Sequence, residues 1–196
     1  ITYQPFFHAS SIFNIENINK RLFKKIDISK IFTSKNFIKK INIKNQIIFK
    51  SKGFRKNLID NLILNTDLTY GRLFYEKKFL IAENPVTCQG NINLLEEYPI
   101  LYFECLIVSN DKKKLLKEFS INYKIRKELF ALNIKGNINI LNNKINFKKI
   151  TINQNYEATK EDLTYFKQTF ENILLDKNVS GIFNLKKIKE FILEIS

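Results

Sequence analysis

The sequence predicts an α+β fold: an antiparallel β-meander, amphipathic helices in the N-terminal part, and a C-terminal helix pair that packs on or caps the sheet. Three observations carry that reading. Between Phe130 and Phe147 apolar and polar residues alternate: Phe130, Leu132, Ile134, Ile138 and Ile140 share one parity, and Ala131, Asn133, Lys135, Asn137 and Asn139 the other. Successive strand side chains point to opposite faces, so this is a sheet with one apolar and one wet side. Similar segments follow one another from residue 62 to 152, and after residue 157 the apolar period becomes that of a helix.

Residues 1 to 18, with Pro5 and the pair Phe6-Phe7, read as an edge strand or loop. Residues 19 to 41 read as interrupted helix, because Leu22, Ile26, Ile31, Phe32, Ile38 and Ile41 recur at near-helical intervals. From Ile43 to Lys52 the pattern is a strand, with Ile47 and Phe49 on one side. Leu62, Leu64, Leu68 and Tyr70 alternate against Ile63, Asn65, Asp67 and Thr69 until Gly71 breaks the strand. Leu73 to Tyr75 begin another, Glu76-Lys77-Lys78 reads as a turn, and Phe79 and Ile81 continue.

Val86, Cys88, Ile92 and Leu94 share a parity around Gly90, and a glycine inside a strand marks a bulge, a bend or a close backbone approach. Ile100 to Val108 is apolar on both parities except at Glu104, the pattern of a strand covered on both sides. Asp111 is placed to cap a two-turn helix ending near Phe119, with Leu115, Leu116 and Phe119 facing inward. Asn142-Asn143 forms the turn before Ile145 and Phe147. Thr159 and Asp162 approximate a capping box, followed by the stripe Leu163, Phe166, Phe170, Ile173 and Leu174. After a loop at Asn178 to Gly181, Asn184 caps a last helix carrying Ile188, Phe191, Ile192 and Ile195. The chain divides accordingly into an N-terminal strand and helical segment (1–42), the meander with its short helix near 111–119 (43–156), and the helix pair (157–196).

Composition bounds the function. A hydrophobic fraction of 44% with 18 Phe excludes a disordered chain. The abundance of Ile, Asn and Lys matches an AT-rich coding sequence, which weakens the meaning of the net charge of +14. The lysines are spread in short runs, such as Lys24-Lys25 and Lys112 to Lys114, and the only arginines are Arg21, Arg55, Arg72 and Arg126. Nucleic-acid readers concentrate arginine on one element and add stacking platforms, so a nucleic-acid partner is disfavoured. No apolar run reaches the roughly 18 to 20 residues of a membrane-spanning helix. Without a methionine, and opening in mid-pattern at Ile1, the chain reads as an internal or C-terminal piece, and a signal peptide or anchor, if any, is expected upstream of it.

Catalytic chemistry is not legible. The sole histidine, His8, has no partner at catalytic or ligand spacing, and five separated glycines make no phosphate loop. The acidic pairs Glu96-Glu97 and Glu161-Asp162 fall in a turn and in a helix first turn. The expectation is therefore no enzyme, no catalytic residue, no metal and no cofactor. Cys88 and Cys105 lie on consecutive strands joined through Glu96-Glu97-Tyr98-Pro99. They are either two small buried thiols or a candidate disulfide in an oxidising compartment.

The motifs, in order, are Leu62-x-Leu64 running to Leu68-x-x-Gly71-x-Leu73, Cys88-Gln89-Gly90-Asn91-Ile92, Ile134-Lys135-Gly136-Asn137-Ile138-x-Ile140 and Asn142-Asn143-Lys144-Ile145-x-Phe147. This order, over residues 43 to 152, resembles the C-terminal region of AsmA-like proteins of the bacterial envelope, where Gly-x-Leu strand starts and Asn-Gly-Lys-Ile-x-Phe hairpins repeat along a long curved sheet. Asn143 stands where that family usually has glycine, and the N-terminal segment and the helix pair lie outside the motif.

The resemblance implies kinship with bridge-like lipid-transfer proteins, whose curved sheets form an apolar groove for acyl chains while head groups face water. It further implies a non-enzymatic segment at the periplasmic face of the inner membrane, membrane-associated and engaged in phospholipid transport or outer-membrane assembly. The implied partners are phospholipid or a membrane surface and the rest of the same longer chain. The lipid-contacting positions would be Phe130, Leu132, Ile134, Ile138, Ile140, Ile145 and Phe147. The same parity can instead pack against the terminal helices. Two other readings stand beside it: a basic nucleic-acid-binding module, and a purely structural cap of a longer β-sheet protein.

Overall fold

A computed structural model describes residues 7–16, 34–50, 59–81, 83–119, 121, 128–176 and 185–195. Nine strands form one open sheet in sequence order: β1 (Phe7–Ile15), β2 (Ile41–Phe49), β3 (Ile59–Thr69), β4 (Arg72–Ile81), β5 (Asn84–Asn93), β6 (Ile100–Ser109), β7 (Phe130–Asn139), β8 (Lys144–Ile152) and β9 (Tyr156–Glu157). The described helices are α1 (Lys35–Ile38), α2 (Lys112–Glu118), α3 (Lys160–Leu174) and α4 (Leu185–Glu194). All neighbours are antiparallel except β1 and β2, which run parallel with Phe7 opposite Ile41. A parallel pair is joined by a crossover rather than by a hairpin.

Hairpin geometry follows local chemistry. Thr69 and Arg72 close the β3–β4 turn, whose two central residues, Tyr70 and Gly71, have φ of 48° and 79°. Both positive angles are what a two-residue turn between right-twisted strands demands. Asn143 has φ of 55°, so asparagine fills the left-handed position of the β7–β8 turn. Asn139 Oδ1 accepts from the backbone N–H of Leu141 at 3.1 Å and of Asn142 at 3.3 Å in the same turn.

Two readings of the strands are corrected. Glu76-Lys77-Lys78 is not a turn: β4 runs straight through it, with Glu76 opposite Asn65 and Lys77 opposite Leu64. A charged triplet survives in mid-strand because Glu76 and Lys78 point to the wet face. Lys77 points to the other, where its Nζ lies 4.5 Å from the Phe79 ring centre and burial pushes its pKa down. Nor is β6 covered on both sides. Tyr102, Leu106 and Val108 are exposed on its wet face.

The apolar parity is packed by the helices. Ile145, Phe147, Ile150, Ala158 and Leu175 form one cluster, joined by Leu163, Phe166 and Phe170 and by Leu132, Ile134 and Ile138 of β7. Edge-to-face rings run from Phe103 through Phe147 and Phe170 to Phe191, linking sheet, α3 and α4, with centroids 6.4, 5.6 and 5.4 Å apart. A second cluster sets Ile38 of α1 on Ile92 and Leu94, with Leu68, Leu73, Leu101 and Ile140 around it. A third joins Leu115, Phe119 and Ile121 to Phe130 and to Ile188 and Ile192 of α4.

The capping devices read from sequence are present. Thr159 and Asp162 bond reciprocally at the start of α3, and Asp111 Oδ1 accepts from Lys114 N at 3.1 Å at the start of α2. The cap assigned to Asn184, the loop at 178–181 and most of the helical reading over 19–41 lie outside the described residues.

Candidate functional site

The seven positions named for acyl chains all pack within the chain. Ile145 is 2% exposed, Phe147 is buried, and Leu132, Ile134 and Ile138 meet the same cluster under α3. Phe130 joins the α2–α4 cluster and Ile140 the α1 cluster. Side chains of the same chain meet these positions. Cys88 and Cys105 are directly opposed, with Cα atoms 4.1 Å apart and Sγ atoms bonded at 2.14 Å.

A hollow of about 870 Å³ lies on the other face. It crosses the sheet from Ser10 on β1 to Lys148 on β8. At the usual spacing between strands that is a trough on the order of 30 Å long. Beneath it, on the covered face, aromatic residues and glycines alternate across five strands in register: Tyr75, Gly90, Phe103, Gly136 and Phe147. A Cβ on Gly90 would stand 2.0 Å from the Tyr102 carbonyl oxygen and 2.8 Å from the Tyr75 ring, and one on Gly136 would stand 2.8 Å from the Phe103 ring. The rings therefore lie across the glycines, an arrangement that lets a sheet bend without leaving voids. Burial by this packing pushes the Tyr75 hydroxyl pKa up.

The floor of the trough is a row of polar residues in register: Gln46, Asn65, Glu76, Gln89, Glu104 and Lys135. Gln46 Nε2 donates to Asn65 Oδ1 at 2.9 Å, and Asn65 Nδ2 to Glu76 Oε2 at 3.3 Å. Lys78 closes on Glu76 at 2.8 Å and Lys135 on Glu104 at 2.8 Å. These lysine contacts are the first cause, with amide bonds from Asn65, and from Asn133 and Gln89, adding to them, that both carboxylates stay below their ordinary pKa. Lys44 pairs with Asp67 at 3.3 Å. The trough is lined by both signs of charge, and Lys44, Lys78 and Lys135 each meet a carboxylate.

Register supplies what sequence alone does not. The parities of these residues are readable, but which amide meets which carboxylate depends on pairing across strands. One signal is visible in hindsight: apolar parity switches between Phe147 and Ile150, and the structure places a register shift there, against Lys135 and Gly136. The bulge brings Lys148 over the Tyr102 ring, 5.2 Å from its centre, while Lys149 pairs with Glu157 at 2.9 Å.

His8 is exposed on β1, opposite Asn42. Among the described residues, no group of three or more His, Cys, Asp or Glu could hold a metal ion, and no helix is long and apolar enough to cross a membrane. A comparison with protein-family models, curated proteins and solved structures finds no match for this chain.

Proposed function

We propose that this chain is a non-enzymatic, AsmA-like segment of a cell-envelope protein engaged in lipid transfer or outer-membrane assembly, an α+β module in which the terminal helices cap one end of a longer sheet. One observation carries the reading: the apolar parity continues beyond the helix-packed strands to the β1 edge. There Phe13, Ile47 and Leu64 are in register and Ile15, Phe49 and Leu62 form the next row. Phe13 is 51% exposed. Among the described residues, none of these six belongs to the three packed clusters. An acyl chain laid across β1 to β3 would bury this surface at about 25 cal/mol per Å² of apolar area. Lipid contact is thereby moved from the β7–β8 positions to the opposite end of the sheet.

The setting at the periplasmic face of the inner membrane agrees with the opposed cysteines, since disulfides persist in oxidising compartments and are rare in the cytosol. Phospholipid and the rest of a longer chain are the partners on this reading. A nucleic-acid partner is disfavoured by the trough, where Lys44, Lys78 and Lys135 are matched by carboxylates rather than left to meet phosphates.

The test is uptake of a fluorescent phospholipid by the delipidated, folded protein. The wild type should take it up, and Phe13→Asp with Ile47→Asp should abolish uptake while Ile145→Val leaves it intact. Uptake by the double variant equal to wild type would remove β1 to β3 as the contact surface.

A further inference from the structure

We propose that the wet trough is a binding site for an extended, neutral oligosaccharide. This goes beyond the lipid reading, which concerns the opposite face of the sheet.

The first ground is a pair of aromatic rings where a solvated face has no need of them. Phe74 on β4 and Tyr102 on β6 are 49% and 41% exposed, and both line the trough. Both are in register with Asn91 on the strand between them, so the two rings stand on one line across the sheet with an amide at its middle. Two strand spacings separate their backbones, about 10 Å. That suits a chain of sugar rings in which every second ring lies its C–H face on an aromatic, with the amide between them bonding hydroxyls.

The second ground is charge. Lys44 with Asp67, Lys78 with Glu76 and Lys135 with Glu104 are ion pairs within or at the wall of the trough. Of the lysines lining the trough, Lys148 alone is set against a ring, that of Tyr102, rather than a carboxylate, so little single-sign field is left to attract a polyanion or a polycation. The carboxylates nonetheless keep accepting capacity, because an ionised carboxylate offers about four lone-pair sites. Glu76 and Glu104 each use part of theirs on lysine and amide donors. Paired carboxylates and amides in a fixed row bond vicinal hydroxyls without the cost of burying an unpaired charge.

The third ground is shape. A hollow that crosses eight strands is long and shallow, which suits a polymer rather than a compact metabolite. A second hollow of about 390 Å³, lined by Arg72, Asn93 and Glu96, shares Phe74, Asn91 and Tyr102 with the first, so the aromatic line sits between two connected depressions. Lys148, now over the Tyr102 ring, is on a flexible stem and can swing aside to donate to a hydroxyl.

The experiment is a titration of the whole ¹⁵N-labelled chain with cellohexaose, maltohexaose and chitohexaose, followed by amide and side-chain NH₂ resonances. At least one hexaose should shift Asn65, Gln89 and Asn91 in the millimolar range. Phe74→Ala and Tyr102→Ala should each weaken binding about tenfold, as loss of an aromatic anchor does. Phe37→Ala, an exposed ring on α1, should not. The truncated side chains are surface residues, and a circular-dichroism spectrum equal to wild type establishes that each variant is folded. The proposal is overturned if none of the three sugars shifts the trough at millimolar concentration. It is overturned equally if binding ignores both substitutions, or if heparin occupies the same residues with steep salt dependence.

Discussion

At the scale of single residues, the sheet depends on places where side chains are missing. Gly90 lies under the Tyr75 ring and against the Tyr102 carbonyl, where a methyl group has no room. Gly90→Ala should destabilise by about 1 to 3 kcal/mol through forced displacement of backbone, read as a fall in the urea midpoint. The polar row makes a separate, pH-dependent contribution. Glu104 and Glu76 have folded pKa values held down, chiefly by Lys135 and Lys78. A depressed carboxylate stabilises above its unfolded pKa, about 4.3 for Glu, and loses that contribution as pH falls through the folded value. The urea midpoint should therefore decline on acidification from about pH 5 toward 3. Glu104→Gln should flatten that decline, and an unchanged pH profile in the variant would remove the ion pair from the explanation. The glycines and their neighbours were readable as punctuation of strands. Their role as seats for aromatic rings was not, because it depends on which residue of the adjacent strand lies opposite.

At the scale of elements, periodicity was a good guide where one period persisted and a poor one where charge interrupted it. The strand from Phe130, the Asn142-Asn143 turn, the Asp111 cap and the Thr159–Asp162 capping box all follow from local chemistry and all recur in the structure. Glu76-Lys77-Lys78 misled because a lysine on the apolar face looks like a break, whereas its stem packs along Phe79. The two ends of α3 are secured differently, and that difference is measurable. Thr159→Ala should cost about 1 kcal/mol, the ordinary loss of a helix cap. Ile145→Ala should cost about 2 to 5 kcal/mol, because Ile145 lies in the cluster under α3 and is the most enclosed large apolar side chain among the described residues. The backbone of the same residue also donates to Glu171 Oε1 at 3.0 Å, fastening β8 to the helix. Thermal melts of the two variants should separate by that margin; equal melts would mean that α3 is held by its cap rather than by its apolar stripe.

At the scale of the whole molecule, one sheet presents two chemically distinct faces, and they divide the functional question between them. That the sheet has an apolar and a wet side was legible from alternation alone. Where the apolar side is covered was not, because helix placement depends on long-range packing: α3 and α4 claim the β7–β8 positions, while the β1 edge keeps Phe13 half in water. The parallel pairing of β1 was likewise invisible, since strand direction is set by the crossover rather than by pattern. The central claim is that the apolar rows at the β1 end contact lipid. Native mass spectrometry with lipid extraction, on protein purified from a bacterial host, tests it most directly. Near-stoichiometric phospholipid, lost from the Phe13→Asp, Ile47→Asp double variant, is the expected result. A clean apo mass from folded wild-type protein would contradict it and leave the chain a structural cap.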